Sequence, residues 1–191
     1  KVKKGQKAFS NGGFTPMGYG LPAAIGACYA NNLATTICVN GDGGLQLNVQ
    51  ELQTIRHNNL PIKIFIFNNE GYLSIKQTQQ AYFDGFLVGS DPSSGVSCPD
   101  TIKLSEGYGI PSRRIHNASN IKNDIIEIMK TPGPMVIDLM IDPFQIIEPR
   151  VASKHLSDGS MRSNPLEDMS PLLDRDLLEK EMIIPLVSNE E

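Results

Sequence analysis

Several residue types and patterns are scarce or absent in this sequence. Among its 191 residues there is no tryptophan, and the three cysteines show no C-x-x-C pair that would predict a zinc site or a disulfide framework. No apolar run approaches the roughly 20 residues that a membrane-spanning helix requires. The formal net charge of -4 predicts no basic surface for nucleic acid. These absences favour a cytoplasmic protein with reduced cysteines that binds neither nucleic acid nor a membrane.

What the sequence does contain is an alternation of strand-like and helix-like segments. Short apolar or β-branched runs predict strands at residues 35–40, 62–67, 112–116 and 135–141. Apolar residues at helical spacing predict helices between most of these strands. Asp100 and Asn48 each stand where an N-cap is expected, and Glu51 follows Asn48 at the spacing of a capping box. The pattern predicts an α/β fold, a three-layer sandwich with a mostly parallel sheet and helices on both faces.

The character of the chain changes after about residue 150. Residues 151–191 carry turn residues, mixed charge and isolated apolar residues instead of a periodic pattern. We therefore predict one domain over residues 1–150 and an extended C-terminal tail over residues 151–191. Because the first residue is Lys1 and not methionine, we expect a fragment or a processed chain.

Two polar junctions follow neighbouring strands of the predicted sheet. The stretch VNGDGGLQLNVQELQ joins one strand to a helix through GDGG at residues 41–44, and Asn68 and Asn69 end the next strand. In open parallel sheets, ligands bind beyond the carboxyl ends of the strands. Both junctions are therefore candidates for one binding site.

Nucleotide-binding motifs fail at these junctions. A dinucleotide fingerprint needs glycine where this chain has Gln46, and it needs an acidic residue where the chain has Asn68 and Asn69. A Walker A loop fails as well, because no G-K-[ST] sequence occurs.

A metal-bridged phosphate site agrees better with these residues. Glycines let a phosphate approach the backbone closely, and successive N–H groups attract it. No lysine is available to balance a diphosphate, and Mg²⁺ would do so with a few oxygen ligands such as Asp42, Asn69 and a loop carbonyl. The alternative, in which Asp42 stabilises a turn and the asparagines end a strand, stays open at this point.

The two junctions together resemble the thiamine-diphosphate-binding signature. The preceding segment SNGGFTPMGYGLPAAIGA, residues 10–27, is similar to the corresponding segment of acetolactate synthase-like enzymes. The resemblance covers about residues 5–149. It implies the thiamine-diphosphate-binding fold, with thiamine diphosphate and Mg²⁺ as cofactors.

The resemblance also implies roles for individual residues. Asp42, the Asn69 side chain and the Gly71 carbonyl would ligate Mg²⁺, and Gly43 and Gly44 would donate backbone N–H groups to the diphosphate. Gly71 and Tyr72 would close over the other side. Met17 would wedge between the two cofactor rings, with the backbone of Thr15 and Met17 near the aminopyrimidine. The implied cofactor-binding set is Thr15, Met17, Gly41, Asp42, Gly43, Gly44, Asn69, Gly71 and Tyr72.

The glutamate that activates the cofactor in such enzymes lies in a separate N-terminal pyrimidine-binding domain, usually of the partner subunit. Glu51 and Glu70 lie on the phosphate side and are not assigned this role. We therefore predict no catalytic residue in this chain and an inactive isolated domain. The intact enzyme would contain the N-terminal domain and form a homodimer or tetramer.

The resemblance implies a carboligase or decarboxylase, a transferase or lyase of the acetolactate synthase-like type, that acts on 2-oxo acids. A tryptophan shapes the substrate pocket of plant and fungal acetolactate synthases, and Thr78 stands at the aligned position here. The identity of the 2-oxo acid is therefore open. A noncatalytic assembly or regulatory module with the same fold is the alternative.

Overall fold

The structure is a computed structural model that describes residues 2–186, with the side chain of His155 left undescribed. It divides into two compact units, the first ending at Phe144 and the second beginning at Gln145. The division predicted at residue 150 stays a prediction.

The first unit alternates helices and strands. In chain order its elements are α1 (Gly20–Ala30), β1 (Thr36–Gly41), α2 (Asp42–Gln46), α3 (Glu51–His57), β2 (Ile62–Asn68), α4 (Leu73–Tyr82), a 3₁₀ turn (Pro92–Ser94), α5 (Thr101–Gly107), β3 (Ser112–Ile115), α6 (Ile121–Lys130) and β4 (Met135–Met140). The four strands predicted from the apolar runs are confirmed, each within one or two residues of its predicted ends.

The four strands form one parallel sheet in the order β1-β2-β4-β3. Val39 pairs in register with Phe65, and Phe65 pairs with Ile137. Since the strands are parallel, all of their carboxyl ends lie at one edge of the sheet. The two polar junctions after β1 and β2 are therefore neighbours.

Apolar side chains pack on both faces of the central strand β2. Ile62, Ile64 and Ile66 of β2 share one buried cluster with residues of α1 and α3, including Leu21 and Leu52. On the opposite face, a second cluster contains Phe65, Ile115, Ile128 and Ile137 and is covered by α6. Because successive side chains of β2 point to opposite faces of the sheet, the strand packs against a helical layer on each face. The predicted three-layer α/β architecture is confirmed.

One of the two predicted helix caps is correct. Asp100 caps α5, because its carboxylate accepts the N–H groups of Ile102 and Lys103 at 3.0 Å. Asn48 does not cap α3, whose N-cap is Gln50 without a side-chain bond. The Asn48 amide donates instead to the Gly18 carbonyl at 2.9 Å. This bond joins residues that are thirty positions apart, so the local sequence pattern does not predict it.

The second unit has its own small elements, within the segment that we predicted as an extended tail. These are a two-stranded antiparallel hairpin, β5 (Ser153–His155) with β6 (Met161–Ser163), and the helix α7 (Arg175–Glu181). Asp174 caps α7, and the Arg175 guanidinium binds the Asp168 carboxylate through two bonds of 2.9 Å. Across residues 2–186, no helix has the length and apolarity that a membrane crossing requires.

Candidate functional site

Asp42 lies at the centre of the candidate site. It is the first residue of α2, directly after β1, and only 2% of its surface is exposed. One carboxylate oxygen accepts the Gly43 N–H at 2.8 Å, and the other accepts the Gly71 N–H at 3.0 Å. The side chain therefore joins the two junctions that the sequence places at one edge of the sheet.

The Asp42 carboxylate is surrounded by backbone N–H groups. Burial raises the pKa of Asp42, while backbone N–H groups, first that of Gly43 and then that of Gly71, oppose the shift. Among residues 2–186 no basic side chain forms an ion pair with Asp42. A buried carboxylate without a basic partner is a suitable ligand for an added cation.

The two asparagines that end β2 differ in their bonding. The Asn68 amide donates to Asp138 at 3.0 Å, and its oxygen accepts the Glu70 N–H at 3.2 Å. The side-chain oxygen of Asn69, by contrast, is buried and has no hydrogen-bond partner. Because buried polar atoms are normally bonded, this oxygen has unused capacity to bind a ligand. It belongs to the residue predicted as a metal ligand.

Asn68 is held by a charged network at the neighbouring strand ends. The Asp138 carboxylate, which is fully buried, accepts a bond from the Arg114 guanidinium at 2.7 Å, and Arg114 also pairs with Asp100 at 2.9 Å. The Asn68 side chain therefore has a structural role, because both its amide and its oxygen are already hydrogen-bonded. These bonds leave Asn69 as the amide that is available to a ligand.

Gly43 and Gly44 lie where a larger residue would not fit. A Cβ on Gly43 would be 2.3 Å from the Tyr72 ring and 2.8 Å from the terminal methyl group of Met17. A Cβ on Gly44 would be 2.3 Å from the side-chain oxygen of Asn40. The structure thus brings together Met17, Gly43 and Tyr72, which the resemblance assigns to one cofactor. In this structure the Gly43 N–H, predicted as a diphosphate donor, donates to Asp42.

The segment before α1 is anchored near Met17. Gly18 has a φ of +93°, and its carbonyl accepts the Asn48 amide. Met17 itself is 42% exposed. Thr15 is exposed, with a φ of +44° and an N–H that donates to the Asn11 carbonyl at 3.0 Å. Thr15 therefore lies in the predicted segment, but its hydrogen bond is local.

The turn after Asn69 is closely packed. Gly71 is buried with a φ of +152°, and a Cβ there would lie 2.5 Å from the Ser90 carbonyl oxygen. The same carbonyl accepts the Tyr72 N–H at 2.8 Å. Gly41 lies across the sheet edge from this turn, where it ends β1 and precedes α2 in extended conformation. Only glycine suits position 71, because both its backbone angle and its surroundings exclude a side chain.

Cys98 is a site residue that the sequence did not predict. Burial, followed by the charge of Asp42 and a hydrogen bond to its carboxylate, raises the pKa of the Cys98 thiol to about 11. Together with Asn68 and Glu70, Cys98 lines a cleft at the carboxyl ends of the strands. It comes from a loop rich in Gly, Ser and Pro. Because this loop has no periodic pattern, its sequence does not predict which of its residues lies at the site.

The donor atoms of this site match a hard cation that shares its ligands with phosphate. In the described part of the chain, no three side chains of His, Cys, Asp and Glu form a metal cluster. The site instead offers one carboxylate, one unbonded amide oxygen and nearby backbone. Mg²⁺ prefers oxygen ligands and binds few protein groups when phosphates supply the others. The residues present therefore fit a diphosphate held through Mg²⁺.

Comparison with known families identifies one match. Residues 1–139 match the model described as "Thiamine pyrophosphate enzyme, C-terminal TPP binding domain". The match includes both junctions and the segment before α1.

Curated relatives carry acetolactate synthase names. The chain is 41% identical over 152 residues to the acetolactate synthase large subunit of Cyanidium caldarium, which covers 80% of this chain and 26% of the relative. It is 31% identical over 155 residues to acetolactate synthase 1, chloroplastic, of Zea mays, which covers 79% of this chain and 24% of that protein. The chain thus spans about a quarter of the length of these relatives.

A solved structure is similar to about two thirds of this chain. The thiamine diphosphate-dependent 4-hydroxybenzoylformate decarboxylase of Rhodococcus jostii RHA1 superimposes with a TM-score of 0.59 and 26% sequence identity. The similarity covers 66% of this chain and 23% of that one.

Proposed function

Since this chain belongs to the family of C-terminal TPP binding domains of thiamine pyrophosphate enzymes, we propose that it binds thiamine diphosphate through Mg²⁺ within an acetolactate synthase-like enzyme. The intact enzyme would decarboxylate or ligate 2-oxo acids. It would add an N-terminal pyrimidine-binding domain, form a homodimer or tetramer and reside in the cytoplasm.

One observation carries the Mg²⁺ part of this proposal. The Asp42 carboxylate is buried without an ion-pair partner among residues 2–186, and the neighbouring junction holds an unbonded, buried Asn69 oxygen. A bound divalent cation would satisfy both groups at once. A purely structural turn would leave the Asn69 oxygen without a partner.

In this proposal each part of the site has a separate task. Asp42, the Asn69 oxygen and the Gly71 carbonyl would hold the metal, and the backbone of Gly43 and Gly44 would contact the diphosphate. When bound, thiamine diphosphate supplies an electron sink for breaking or forming a carbon–carbon bond at a 2-oxo acid.

The aromatic and thioether side chains shape the rest of the site. Met17 and Tyr72 both lie against Gly43, in the space that a side chain at this position would occupy. No residue of this chain is assigned the proton-transfer role, and the isolated domain is therefore expected to turn over no substrate.

Calorimetric titration of the full-length protein with thiamine diphosphate, with and without Mg²⁺, tests the proposal. Asp42→Asn keeps the side-chain shape but removes its charge, so we expect binding to fall below detection in Mg²⁺. Asp158→Asn, an exposed change in the second unit, is the matched control and should bind like the wild type.

Two results would count against the proposal in different ways. Binding that needs no Mg²⁺, or that survives Asp42→Asn unchanged, would exclude the metal site. Normal Mg²⁺-dependent binding without turnover of any member of a 2-oxo acid panel would favour the noncatalytic module.

A further inference from the structure

Lys76 is a buried lysine that the site described above does not use. It lies in α4, is 6% exposed, and its ammonium nitrogen is 3.0 Å from a carboxylate oxygen of Asp91. The Phe144 ring lies beneath the ammonium, with its centroid 4.4 Å away. A lysine is rarely buried to this degree, and breaking such a pair leaves an uncompensated charge. The pair is therefore a specific contact and not an ordinary surface ion pair.

Asp91 is held firmly on its other side. The carboxylate oxygen that does not face Lys76 accepts the Ser93 hydroxyl at 2.7 Å, the Ser94 hydroxyl at 2.9 Å and the Ser94 N–H at 3.1 Å. Hydrogen bonds from Ser93 and Lys76 are the main causes that hold the pKa of Asp91 far below its usual range. The loop around Asp91 is thus held to α4 by this charge pair and by two hydrogen bonds between the Gln79 side chain and the Val88 backbone.

This loop is in direct contact with the proposed metal site. The Ser90 carbonyl, one residue before Asp91, accepts the Tyr72 N–H at 2.8 Å and packs against Gly71. The Tyr72 carbonyl in turn accepts the Lys76 N–H at 2.9 Å. Gly71 donates its N–H to Asp42 at 3.0 Å. A path of covalent and hydrogen bonds therefore runs from Lys76 through Asp91, Ser90 and Tyr72 to Gly71 and Asp42.

We propose that Lys76 is a positioning residue for the metal. By clamping the Asp91 loop onto Gly71, the ion pair fixes the Gly71 carbonyl and the adjacent Asn69 oxygen relative to the Asp42 carboxylate. This inference rests on the proposed function. Mg²⁺ demands near-ideal octahedral geometry at 2.0–2.1 Å, whereas Ca²⁺ accepts flexible geometry at 2.3–2.6 Å. The clamp thus sets both the affinity for Mg²⁺ and the preference for Mg²⁺ over Ca²⁺.

The test uses the full-length protein and measures the metal concentration that half-saturates thiamine diphosphate binding, once with Mg²⁺ and once with Ca²⁺. Lys76→Met keeps the aliphatic stem and removes the charge. We expect the half-saturating Mg²⁺ concentration to rise about tenfold, the lower end for residues that orient metal ligands. The Ca²⁺ value should change much less, because that ion tolerates displaced ligands.

A second single variant and a double variant test whether Lys76 acts on the metal site through Asp91. Asp91→Asn removes the charge paired with Lys76 but keeps an oxygen for the two serines, so it should fold and show the same Mg²⁺ shift. If Lys76 acts through Asp91, the double variant should shift no further than either single variant.

Arg113→Met is the matched control. It breaks the ion pairs of Arg113 with Asp124 and Glu127 on α6, away from the Gly71 turn. We expect it to lower the melting temperature without changing the Mg²⁺ to Ca²⁺ ratio.

The outcomes separate this inference from the proposed function. Equal changes for both ions, or the same ratio in Asp91→Asn as in the wild type, would overturn the positioning role while leaving the metal site intact. A wild-type protein whose cofactor binding ignores divalent ions would overturn the proposed function itself.

Discussion

At the scale of single residues, the candidate site is decided by which polar groups already have partners. Asn68 and Asn69 are adjacent and chemically identical. The Asn68 side chain is hydrogen-bonded to Asp138 and to the Glu70 N–H, whereas the side-chain oxygen of Asn69 has no hydrogen-bond partner. Asp42 is similarly exceptional among the buried acids, since Asp138, Asp91 and Asp124 pair with Arg or Lys. A ligand is expected where bonding capacity is left unused.

Cys98 leads to a prediction about thiol reactivity. Because the pKa of its thiol is raised to about 11, the reactive thiolate is scarce at pH 8.5, and alkylation by iodoacetamide should be much slower than in the unfolded chain. Asp42→Asn removes the neighbouring charge and should speed the reaction. Peptide mass spectrometry over time measures both rates. If folded Cys98 is alkylated as fast as Cys98 in urea, its placement beside Asp42 is wrong.

Gly43 leads to a prediction about stability. Gly43→Ala places a methyl group within 3 Å of Tyr72 and Met17, so the side chains must move, at a cost of roughly 1–3 kcal/mol in the free energy of unfolding. Gly26→Ala in α1 is the matched control, because no heavy atom lies within 4 Å of its Cβ position. That change should be neutral or stabilising by up to about 1 kcal/mol. Urea unfolding of both variants measures the difference, and equal values would contradict the packing described here.

At the scale of elements, short helices depend on their caps and on their neighbours. α5 has only seven residues, too few to be stable alone, and one carboxylate both caps it and binds a neighbouring strand. Asp100 accepts two N–H groups at the start of α5 and pairs with Arg114 of β3. The same side chain therefore fixes α5 against the sheet edge where the site lies.

Asp100→Ala should destabilise the fold by about 0.5–2 kcal/mol, the usual cost of losing an N-cap. Asp100→Asn keeps the oxygen that accepts the two N–H groups and loses only the charge facing Arg114, so it should retain most of the stability. Chemical denaturation followed by far-UV circular dichroism compares the two variants. Equal losses for Asn and Ala would show that the ion pair with Arg114, which both variants lose, and not the cap, is the main contribution.

At the scale of the whole molecule, stability should depend on pH through the Asp91 carboxylate. The folded-state pKa of Asp91 is held well below its ordinary value of 3.8, because bonds from Ser93 and Lys76 favour the charged form. A depressed pKa adds stability that is present above pH 3.8 and is lost as the pH falls towards the folded-state pKa. Asp91→Asn should therefore lower the melting temperature at pH 6, and the difference from wild type should shrink below pH 3.8.

Glu106→Gln, an exposed change in α5, is the control for that measurement and should leave the pH profile unchanged. Melting curves at half-unit intervals of pH give the comparison. A difference between Asp91→Asn and wild type that stays constant down to acid unfolding would mean that folding does not lower the pKa of Asp91.

Local patterns predicted most of the first unit because its elements are locally encoded. Ile62, Ile64 and Ile66 of β2 belong to one apolar cluster and Phe65 belongs to the other, so the strand appears as an almost wholly apolar run. The incorrect prediction of an N-cap at Asn48 shows the limit of reasoning from local patterns. Asn48 has the residue type of an N-cap, but its amide bonds to Gly18, thirty residues away. A competing long-range partner cannot be identified from spacing alone.

The sequence by itself determined the alternating α/β order, the glycines at residues 43 and 44, and the presence of Asp42 and two asparagines at neighbouring strand ends. These features depend on residue type and short-range periodicity, which are visible in one dimension. Only the tertiary structure decided that Asn69 and not Asn68 keeps an unbonded oxygen, that Cys98 lies near Asp42, and that Lys76 pairs with Asp91 beside the Gly71 turn. Those outcomes depend on burial and on partners distant in the chain, because whether a polar group is satisfied is a property of its surroundings in space.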